Sequence, residues 1–313
     1  MRSKYGIVHK NGPCMEITTM IGCPLKCTFC PQTPLIKNYK NVKNPDKFLT
    51  PENFEIILNK LPKETRIDFS GMSEPWANPD CTDMYQMTLE KGFNVAVYTT
   101  LYKMTEEDID RVYDLTIKHQ SQIEHFVMHM PDSHNNMRGW RYSETWEKAF
   151  KKFYNMIFNK SPSNGVQTMT MDMNAKKFHK DMMHIPEAQH AQNDGKGFQK
   201  FSAHDRAGVL DTKQVERQGD QNVKQIRAAK HTSPLTCRST PFYDRNVLLP
   251  NGDVVLCCMD YALKHIIGNL IDQTYEEMFQ NKQFLDLVKM NETPGFDKCS
   301  ICKSCTNVKY INV

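Results

Sequence analysis

The chain has 313 residues, of which 39% are hydrophobic and 24% charged, with a formal net charge of +4. This composition indicates a large folded domain with a smaller one attached, rather than a disordered chain. The charge is too small, and the Lys and Arg residues too dispersed, for a nucleic-acid-binding surface. The N-terminus lacks the apolar core of a signal peptide, and no segment approaches the roughly 18 apolar residues of a membrane span. We therefore expect a cytoplasmic protein with neither a nucleic-acid nor a membrane partner.

Strand-like and helix-like segments alternate through the first two thirds of the chain. Strands are predicted from β-branched and alternating segments at 15–21, 66–70, 94–100, 123–130 and 166–173. Helices are predicted from apolar periodicity and start signals at 50–62, near 79–91, from 105 and at 143–159. This alternation predicts a parallel sheet, and five or six units in about 210 residues fit a partial barrel better than a complete eight-stranded one.

The last third of the chain differs in composition. Residues 175–232 are polar and poorly periodic, and we interpret them as a long connection that overlaps the end of a main domain at 1–210. Residues 233–313 then form a second, smaller domain. Its segment "RNVLLPNGDVVLCC" predicts two strands joined by a Pro-Asn-Gly-Asp turn, because Asn and Gly tolerate the positive φ of tight turns.

The segment "GCPLKCTFCP" at 22–31 places Cys23, Cys27 and Cys30 directly after the first predicted strand. In a chain without signs of secretion, clustered cysteines are more often metal ligands or catalytic groups than disulfides. Ligands also collect at the carboxyl ends of parallel strands. Three thiolates can hold three corners of a cubane iron–sulfur cluster and leave the fourth iron open. The alternatives are a zinc site lacking its fourth ligand and three unrelated buried thiols.

This spacing resembles the CxxxCxΦC signature of radical S-adenosylmethionine (SAM) enzymes, with Phe29 at the aromatic position. The resemblance implies an α/β fold with a partial (β/α)6 barrel and a 4Fe–4S cluster whose open iron binds S-adenosylmethionine (AdoMet). It also implies that an electron from the cluster cleaves AdoMet to a 5′-deoxyadenosyl radical. The electron would come from a donor such as flavodoxin or ferredoxin.

The segment "SGMSEPWANPD" at 70–80 is similar to the GGEP segment of the same family. In that family, backbone oxygens and a glutamate of this segment hold the ammonium group of the cofactor. Glu74 matches the glutamate, whereas Met72 and Ser73 replace the usual glycine pair. The resemblance therefore implies cofactor contacts at Ser73 and Glu74.

Further candidates lie at the ends of later strands. By resemblance, Thr99 and Thr100 contact the ribose, His129 meets the cofactor or substrate, and Arg206 holds an anionic group of either. From the residues alone, the two threonines are equally explained as ordinary strand residues. His129 is likewise explained as a structural histidine, and Arg206 as a member of an ion pair.

The C-terminal cysteines resemble those of the SPASM/twitch extension of radical SAM enzymes, a small α+β domain that carries auxiliary iron–sulfur clusters. Six cysteines favour the shorter, twitch-like form with one auxiliary 4Fe–4S cluster. Its implied ligands are Cys237, Cys257, Cys302 and Cys305. Cys299 competes with Cys305, which we prefer because "ICKSC" is most similar to the terminal pair of the family. A structural zinc with four thiolates is the alternative for this domain.

The resemblance implies abstraction of a hydrogen atom from a substrate. No peptide-recognition domain precedes the barrel, which favours a small, carbohydrate-like substrate. We expect the resulting radical to be oxidised, with the auxiliary cluster accepting the electron, as in a dehydrogenase. An epimerase would instead need a hydrogen donor, and Cys258 is the candidate because a strand would turn it away from Cys257; otherwise it packs as a small apolar residue. A peptide-modifying maturase and a non-enzymatic metal-binding scaffold are the remaining alternatives.

Overall fold

The computed structural model describes residues 12–156, 166–169, 177–193, 206–210, 231–240, 242–294 and 300–311. The strands are β1 (Cys14–Ile17), β2 (Arg66–Phe69), β3 (Val95–Thr99), β4 (Ile123–His129), β5 (Val166–Met169), β6 (Leu235–Cys237), β7 (Arg245–Leu248), β8 (Asp253–Val255), β9 (Ile266–Asn269) and β10 (Val308–Tyr310). The helices are α1 (Gln32–Tyr39), α2 (Pro51–Lys60), α3 (Cys81–Glu90), α4 (Glu106–Lys118), α5 (Glu144–Tyr154), α6 (Pro186–Asn193), α7 (Tyr275–Met278) and α8 (Lys282–Glu292).

A mostly parallel sheet of eight strands organises the protein, in the order β5-β4-β3-β2-β1-β7-β8-β9. Strands β1 to β5 are parallel neighbours, so their carboxyl ends lie along one edge. The predicted α/β class with a parallel, barrel-type sheet is confirmed. Five barrel strands, rather than six, lie in the described residues, and the next parallel neighbour is β7 from the C-terminal region.

Three helices, α2, α4 and α5, begin at the predicted positions, each with a side-chain cap. The Thr50 side chain accepts a hydrogen bond from the Asn53 N–H at the start of α2. Thr105 and Asp108 form a reciprocal capping box at the start of α4, and Ser143 caps α5. Within the described part of the chain, none of the helices combines the length and apolar character needed to cross a membrane.

The two faces of the barrel sheet differ in polarity. Met15 and Ile17 of β1 are fully buried in the main hydrophobic core, where the helices pack. Glu16 lies between them and therefore faces the opposite side, toward the barrel interior. On β2, Arg66 donates hydrogen bonds of 2.6 and 2.8 Å to the carboxylate of Asp68. Charged and polar side chains of β1 and β2 thus line the barrel interior.

The predicted hairpin of the C-terminal region is present as β7 and β8, which are antiparallel. Its turn contains Gly252 at φ +85°, the conformation that glycine adopts without strain. Strand β7 pairs in parallel with β1, while β6 and β10 form a separate antiparallel pair. The barrel sheet therefore continues into the C-terminal region, and the predicted domain limits, 1–210 and 233–313, stay a prediction.

The stretch predicted as a long connection contains ordered structure at 177–193. Helix α6 lies there, and the segment packs into the main hydrophobic core through Phe178, Met182, Ile185 and Ala188. These residues recur every three or four positions, which is a helical spacing. The high content of Gln, Asn and Lys around them conceals this pattern in the composition.

Candidate active site

The loop after β1 brings Cys23, Cys27 and Cys30 together. The thiols of Cys23 and Cys27 interact electrostatically with Cys30 and with the carboxylate of Glu74. Lys26 adopts φ +50° within this loop, and the Cys30 N–H donates to the carbonyl of Cys27 over 3.2 Å. The backbone therefore curls and keeps the three thiols close enough to interact electrostatically.

A second segment, residues 132–140, supports the cysteine loop from one side. The Thr28 N–H donates to the Asn136 carbonyl over 2.9 Å, and the Gly139 N–H donates to the Leu25 carbonyl over 2.6 Å. The Thr28 hydroxyl also donates to the Asn136 side-chain oxygen over 2.7 Å. These bonds fix the path of the loop through its backbone, independently of the thiols.

The close approach at Gly139 leads to a first prediction. A Cβ atom there would lie 1.9 Å from the Pro24 carbonyl oxygen. We expect Gly139→Ala to displace the cysteine loop and to destabilise the fold by about 1–3 kcal/mol, as overpacking does. Its iron content after reconstitution and its Tm should both fall. Gly268→Ala is the control, because its Cβ would meet only side-chain atoms; equal losses in the two variants would contradict the prediction.

The cysteine loop suits a soft metal centre. Burial raises the pKa of the Cys23 thiol to about 12 and that of Cys27 well above its usual value, so metal binding must displace their protons. Among the residues that the structure describes, no three His, Cys, Asp or Glu side chains form a site for a single metal ion. A cubane cluster spreads its thiolates over separate irons and does not need such convergence. Phe29 is buried in the core against which these cysteines pack.

The segment at 70–80 packs against the end of β1. Gly71 has φ +57°, and a Cβ atom on it would lie 2.7 Å from the carbonyl oxygen of Ile17, so this position requires glycine. The Ser73 hydroxyl accepts a hydrogen bond of 3.4 Å from the Met20 N–H. The structure thus places the segment beside the cysteine loop, as the resemblance implies.

Glu74, Thr99 and Thr100 form one hydrogen-bonded group. The Thr99 hydroxyl donates to Glu74 Oε1 over 2.5 Å, and the Thr100 hydroxyl and N–H donate to Oε2 over 2.6 and 2.8 Å. All three residues are buried, and burial raises the pKa of Glu74. These residues therefore join the 70–80 segment to β3, while their contacts with the cofactor stay a prediction.

Two buried polar atoms at the same edge have no hydrogen-bond partner among the described residues. They are the hydroxyl oxygen of Ser70, which follows β2, and Nε2 of His129 at the end of β4. Burial lowers the pKa of His129 to about 4, so its imidazole is neutral at pH 7. An unpaired buried polar atom costs about 1–3 kcal/mol. The edge is therefore suited to a polar ligand that would satisfy these two atoms.

A second group of cysteines surrounds a cavity of about 190 Å³ in the C-terminal region. Five cysteines line it, namely Cys258 and the four predicted ligands Cys237, Cys257, Cys302 and Cys305. The thiol of Cys257 interacts electrostatically with Cys302 and Cys305, and that of Cys302 with Cys237. The structure thus brings together the four predicted ligands, and their thiols and the size of the cavity fit an iron–sulfur cluster. Cys299 lies outside the described residues.

The same cavity reaches the barrel interior at Glu16 and Cys258. These two side chains interact electrostatically, and burial raises the pKa of Glu16 to about 7. Arg206 donates to the Cys258 carbonyl over 3.2 Å. β8 ends at Val255, so the strand alternation on which the predicted orientation of Cys258 rested does not extend to these cysteines; both line the cavity, and the orientation stays a prediction.

Three residues of this region were not predicted: Glu16, Gln32 and Tyr261. Glu16 left a signal in the sequence, since it is the single charge in an otherwise apolar and β-branched strand. Gln32 and Tyr261 left none. Both approach Cys30, Gln32 with its side-chain amide and Tyr261 with its hydroxyl.

Comparison with known protein families agrees with this arrangement. The model of the radical SAM superfamily matches residues 17–177, which is more than half of the chain. The model of the iron–sulfur cluster-binding domain SPASM matches residues 223–306. No curated protein matches the chain.

Several solved structures share the fold. BtrN in complex with AdoMet and 2-DOIA is 16% identical, with a TM-score of 0.56 over 94% of this chain and 93% of that chain. Streptococcus suis SuiB bound to precursor peptide SuiA is 14% identical, with a TM-score of 0.54 over 93% and 69%. Histidine-tagged anSMEcpe with bound AdoMet is 14% identical, with a TM-score of 0.50 over 94% and 84%. At such identities the likeness concerns the fold alone.

The family match, the cysteine loop at the strand ends and the second cysteine-lined cavity lead to one conclusion. The predicted cofactors, AdoMet with a 4Fe–4S cluster that binds it and one auxiliary 4Fe–4S cluster, are confirmed by the two domain matches. The chain belongs to the radical SAM superfamily and is a radical SAM enzyme with a C-terminal SPASM domain.

Proposed function

We propose that this enzyme oxidises a small, carbohydrate-like substrate, and so acts as a dehydrogenase. When bound, AdoMet and its cluster supply a radical that removes one hydrogen atom from a carbon of the substrate. The observation that carries the proposal is the cysteine-lined cavity, which includes the four proposed cluster ligands and opens beside Glu16 on the barrel interior. An electron acceptor held there lies next to the space where a substrate would react.

The oxidation balances as the loss of one hydrogen atom, one electron and one proton. The hydrogen atom would leave the C–H bond of an alcohol carbon. A cluster held by Cys237, Cys257, Cys302 and Cys305 would serve as the electron acceptor. The proton leaves the hydroxyl group, so that a C=O bond forms. This outcome needs no hydrogen donor from the protein.

The proposed ligands of the two clusters follow the two cysteine groups. Cys23, Cys27 and Cys30 would hold the cluster that binds AdoMet. Cys237, Cys257, Cys302 and Cys305 would hold the auxiliary cluster. Reduction by an external donor such as flavodoxin or ferredoxin in the cytoplasm belongs to the same proposal.

The proposed contacts with AdoMet and substrate lie along the edge formed by the strand ends. Ser73 and the backbone of 70–80 would face the ammonium group, where Glu74 is held by Thr99 and Thr100. His129 would bind the cofactor or substrate through Nε2, which has no partner among the described residues.

Arg206 would contact the substrate next to Cys258. Its guanidinium group lies near Glu16 and donates to the carbonyl of Cys258, at the border of the cysteine-lined cavity. We therefore propose that Arg206 contacts the substrate rather than AdoMet.

Polar groups inside the barrel support a substrate rich in hydroxyl or amino groups. Glu16, Asp68 and Tyr98 interact electrostatically there, and the ring of His129 lies 6.3 Å from that of Tyr98. Of the structural relatives, BtrN was solved with the ligand 2-DOIA and SuiB with a precursor peptide. A peptide-modifying activity is therefore the competing assignment of substrate.

Panels of sugars, aminocyclitols and short peptides separate these assignments. Reduced enzyme is incubated with AdoMet and each compound, and 5′-deoxyadenosine and products are measured by mass spectrometry. We expect a sugar or aminocyclitol to stimulate 5′-deoxyadenosine formation and to yield a product two hydrogens lighter. Stimulation by peptides alone would contradict the proposal.

An epimerase is the second candidate because Cys258 lines the cavity together with Glu16, with which its thiol interacts electrostatically. An epimerase must return a hydrogen atom to the substrate radical, and a thiol is a good donor because its S–H bond is weaker than most C–H bonds. The dehydrogenase assignment requires no such donor. The two assignments therefore differ in what happens when this thiol is removed.

For the dehydrogenase, we expect Cys258→Ser to change product formation little and solvent deuterium to be absent from the reacting carbon. Cys81→Ser is the control, since Cys81 is a buried cysteine on α3 that does not line the cavity. An epimerase would instead incorporate one solvent deuterium per turnover. Its Cys258→Ser variant would consume AdoMet without forming epimer, and that result would overturn the assignment.

A further inference from the structure

The sulfur of Cys30 has two polar neighbours that the proposed function does not use. The side-chain amide of Gln32 donates to Cys30 Sγ over 3.3 Å, and the hydroxyl oxygen of Tyr261 lies 3.5 Å from the same sulfur. A sulfur that binds iron carries no proton, so the Tyr261 hydroxyl is then the donor. Tyr261 follows Cys257 closely in the C-terminal region, whereas Cys30 belongs to the barrel.

We propose that Tyr261 is a positioning residue that raises the reduction potential of the AdoMet-binding cluster by donating a hydrogen bond to Cys30. Hydrogen bonds to cluster sulfurs are among the factors that set this potential. They favour the reduced cluster because it carries one more negative charge. The inference rests on the proposed role of Cys30 as a cluster ligand.

The surroundings of Tyr261 hold its hydroxyl in place. The side chain is buried in an apolar cluster that also contains Leu35 and Tyr39. The guanidinium group of Arg206 lies over the Tyr261 ring, 5.3 Å from its centroid. Away from bulk water a hydrogen bond to a charged sulfur is stronger than at the surface.

The adjacent turn fixes the backbone of Tyr261. The carboxylate of Asp260 accepts hydrogen bonds of 3.0 and 2.7 Å from the N–H groups of Lys264 and His265. The turn therefore presents the ring to the cysteine loop from a fixed position. Through Tyr261, the segment next to the auxiliary site would act on the cluster that binds AdoMet.

Tyr261→Phe tests the proposal because it removes the hydroxyl and keeps the ring. Gln32 is less suitable, since its side chain also bonds the Met72 carbonyl and the Cys23 N–H. Reconstituted full-length protein, without substrate, is titrated with a reductant and followed by EPR. We expect Tyr261→Phe to lower the ratio of reduced to oxidised AdoMet-binding cluster at a fixed potential by up to about tenfold, or 59 mV for a one-electron couple.

Tyr39→Phe is the matched control. Tyr39 is buried in the same apolar cluster, but its hydroxyl bonds the Asp46 carbonyl and the Asn251 N–H and not a sulfur. The proposal is supported if only Tyr261→Phe shifts the potential of this cluster at unchanged iron content. It is overturned if the potential stays at the wild-type value, or if Tyr39→Phe shifts it equally.

A separate measurement isolates the assumption on which the proposal rests. The variant with Cys23, Cys27 and Cys30 all replaced by Ala must lose the EPR signal that is assigned to this cluster. If that variant keeps the signal and all its iron, Cys30 is not a ligand, and the proposed function fails together with the inference. If only the inference fails, the EPR signal is still lost when the three cysteines are replaced.

Discussion

Replacing Cys23, Cys27 and Cys30 together with Ala is expected to abolish the cleavage of AdoMet to 5′-deoxyadenosine and methionine. Without these thiolates the cluster that binds AdoMet has no ligands at the end of β1. The variant should still fold, because backbone hydrogen bonds such as Gly139 N–H to the Leu25 carbonyl hold the loop. The measurement is chromatographic detection of 5′-deoxyadenosine after anaerobic reduction.

Iron and sulfide counting gives this experiment its internal control. The triple variant should retain one auxiliary 4Fe–4S cluster, so about four irons per chain should remain of the roughly eight in the wild type. Cys81→Ala is the matched control, since it removes a buried thiol of α3 that belongs to neither cysteine group. Cleavage of AdoMet by the triple variant would refute the ligand assignment. Absence of iron, or zinc in its place, would remove the proposed electron acceptor.

The sequence predicted those parts of the site whose residues are close in the chain. The spacing of Cys23, Cys27 and Cys30 required only one loop, and the capping residues Thr50 and Thr105 each act within three positions of themselves. Such contacts are local, so residue type and spacing determine them.

Contacts between distant segments were not predictable in this way. Tyr261 and Cys30 are separated by 231 positions, and their approach depends on β7 pairing with β1. Neither partner carries a local pattern that indicates the other. The same applies to Glu16 and Cys258, which meet because one sheet runs through both cysteine regions.

The hydrogen-bonded group of Glu74, Thr99 and Thr100 was predictable only in part. Resemblance to a family placed each residue at the end of a strand, and parallel pairing of β2 with β3 brings those ends together. The sequence did not reveal that the hydroxyl groups of both threonines bond the glutamate. That depends on the path of the 70–80 segment, where Met72 and Ser73 replace the usual glycines.

Single cysteine replacements at the auxiliary site are expected to have an equally large effect on iron content. They decide whether Cys305 or Cys299 is a cluster ligand. Cys305 is buried and lines the cavity with the other three cysteines. Its N–H donates to the Cys302 carbonyl over 3.1 Å, and its carbonyl lies 3.0 Å from Nε2 of His231. The backbone thus holds Cys305 beside Cys302, in the position that a fourth ligand would take.

We therefore expect Cys305→Ala to lose the auxiliary cluster and Cys299→Ala to keep it. In Cys305→Ala the iron content should fall from about eight to about four per chain. AdoMet cleavage should persist, because the first cysteine group is intact, whereas the oxidised product should disappear with the electron acceptor. Each variant carries one Cys→Ala change in the same terminal segment, so each controls for the other. Loss of the cluster in Cys299→Ala and its retention in Cys305→Ala would make Cys299 and Cys302 the terminal ligands.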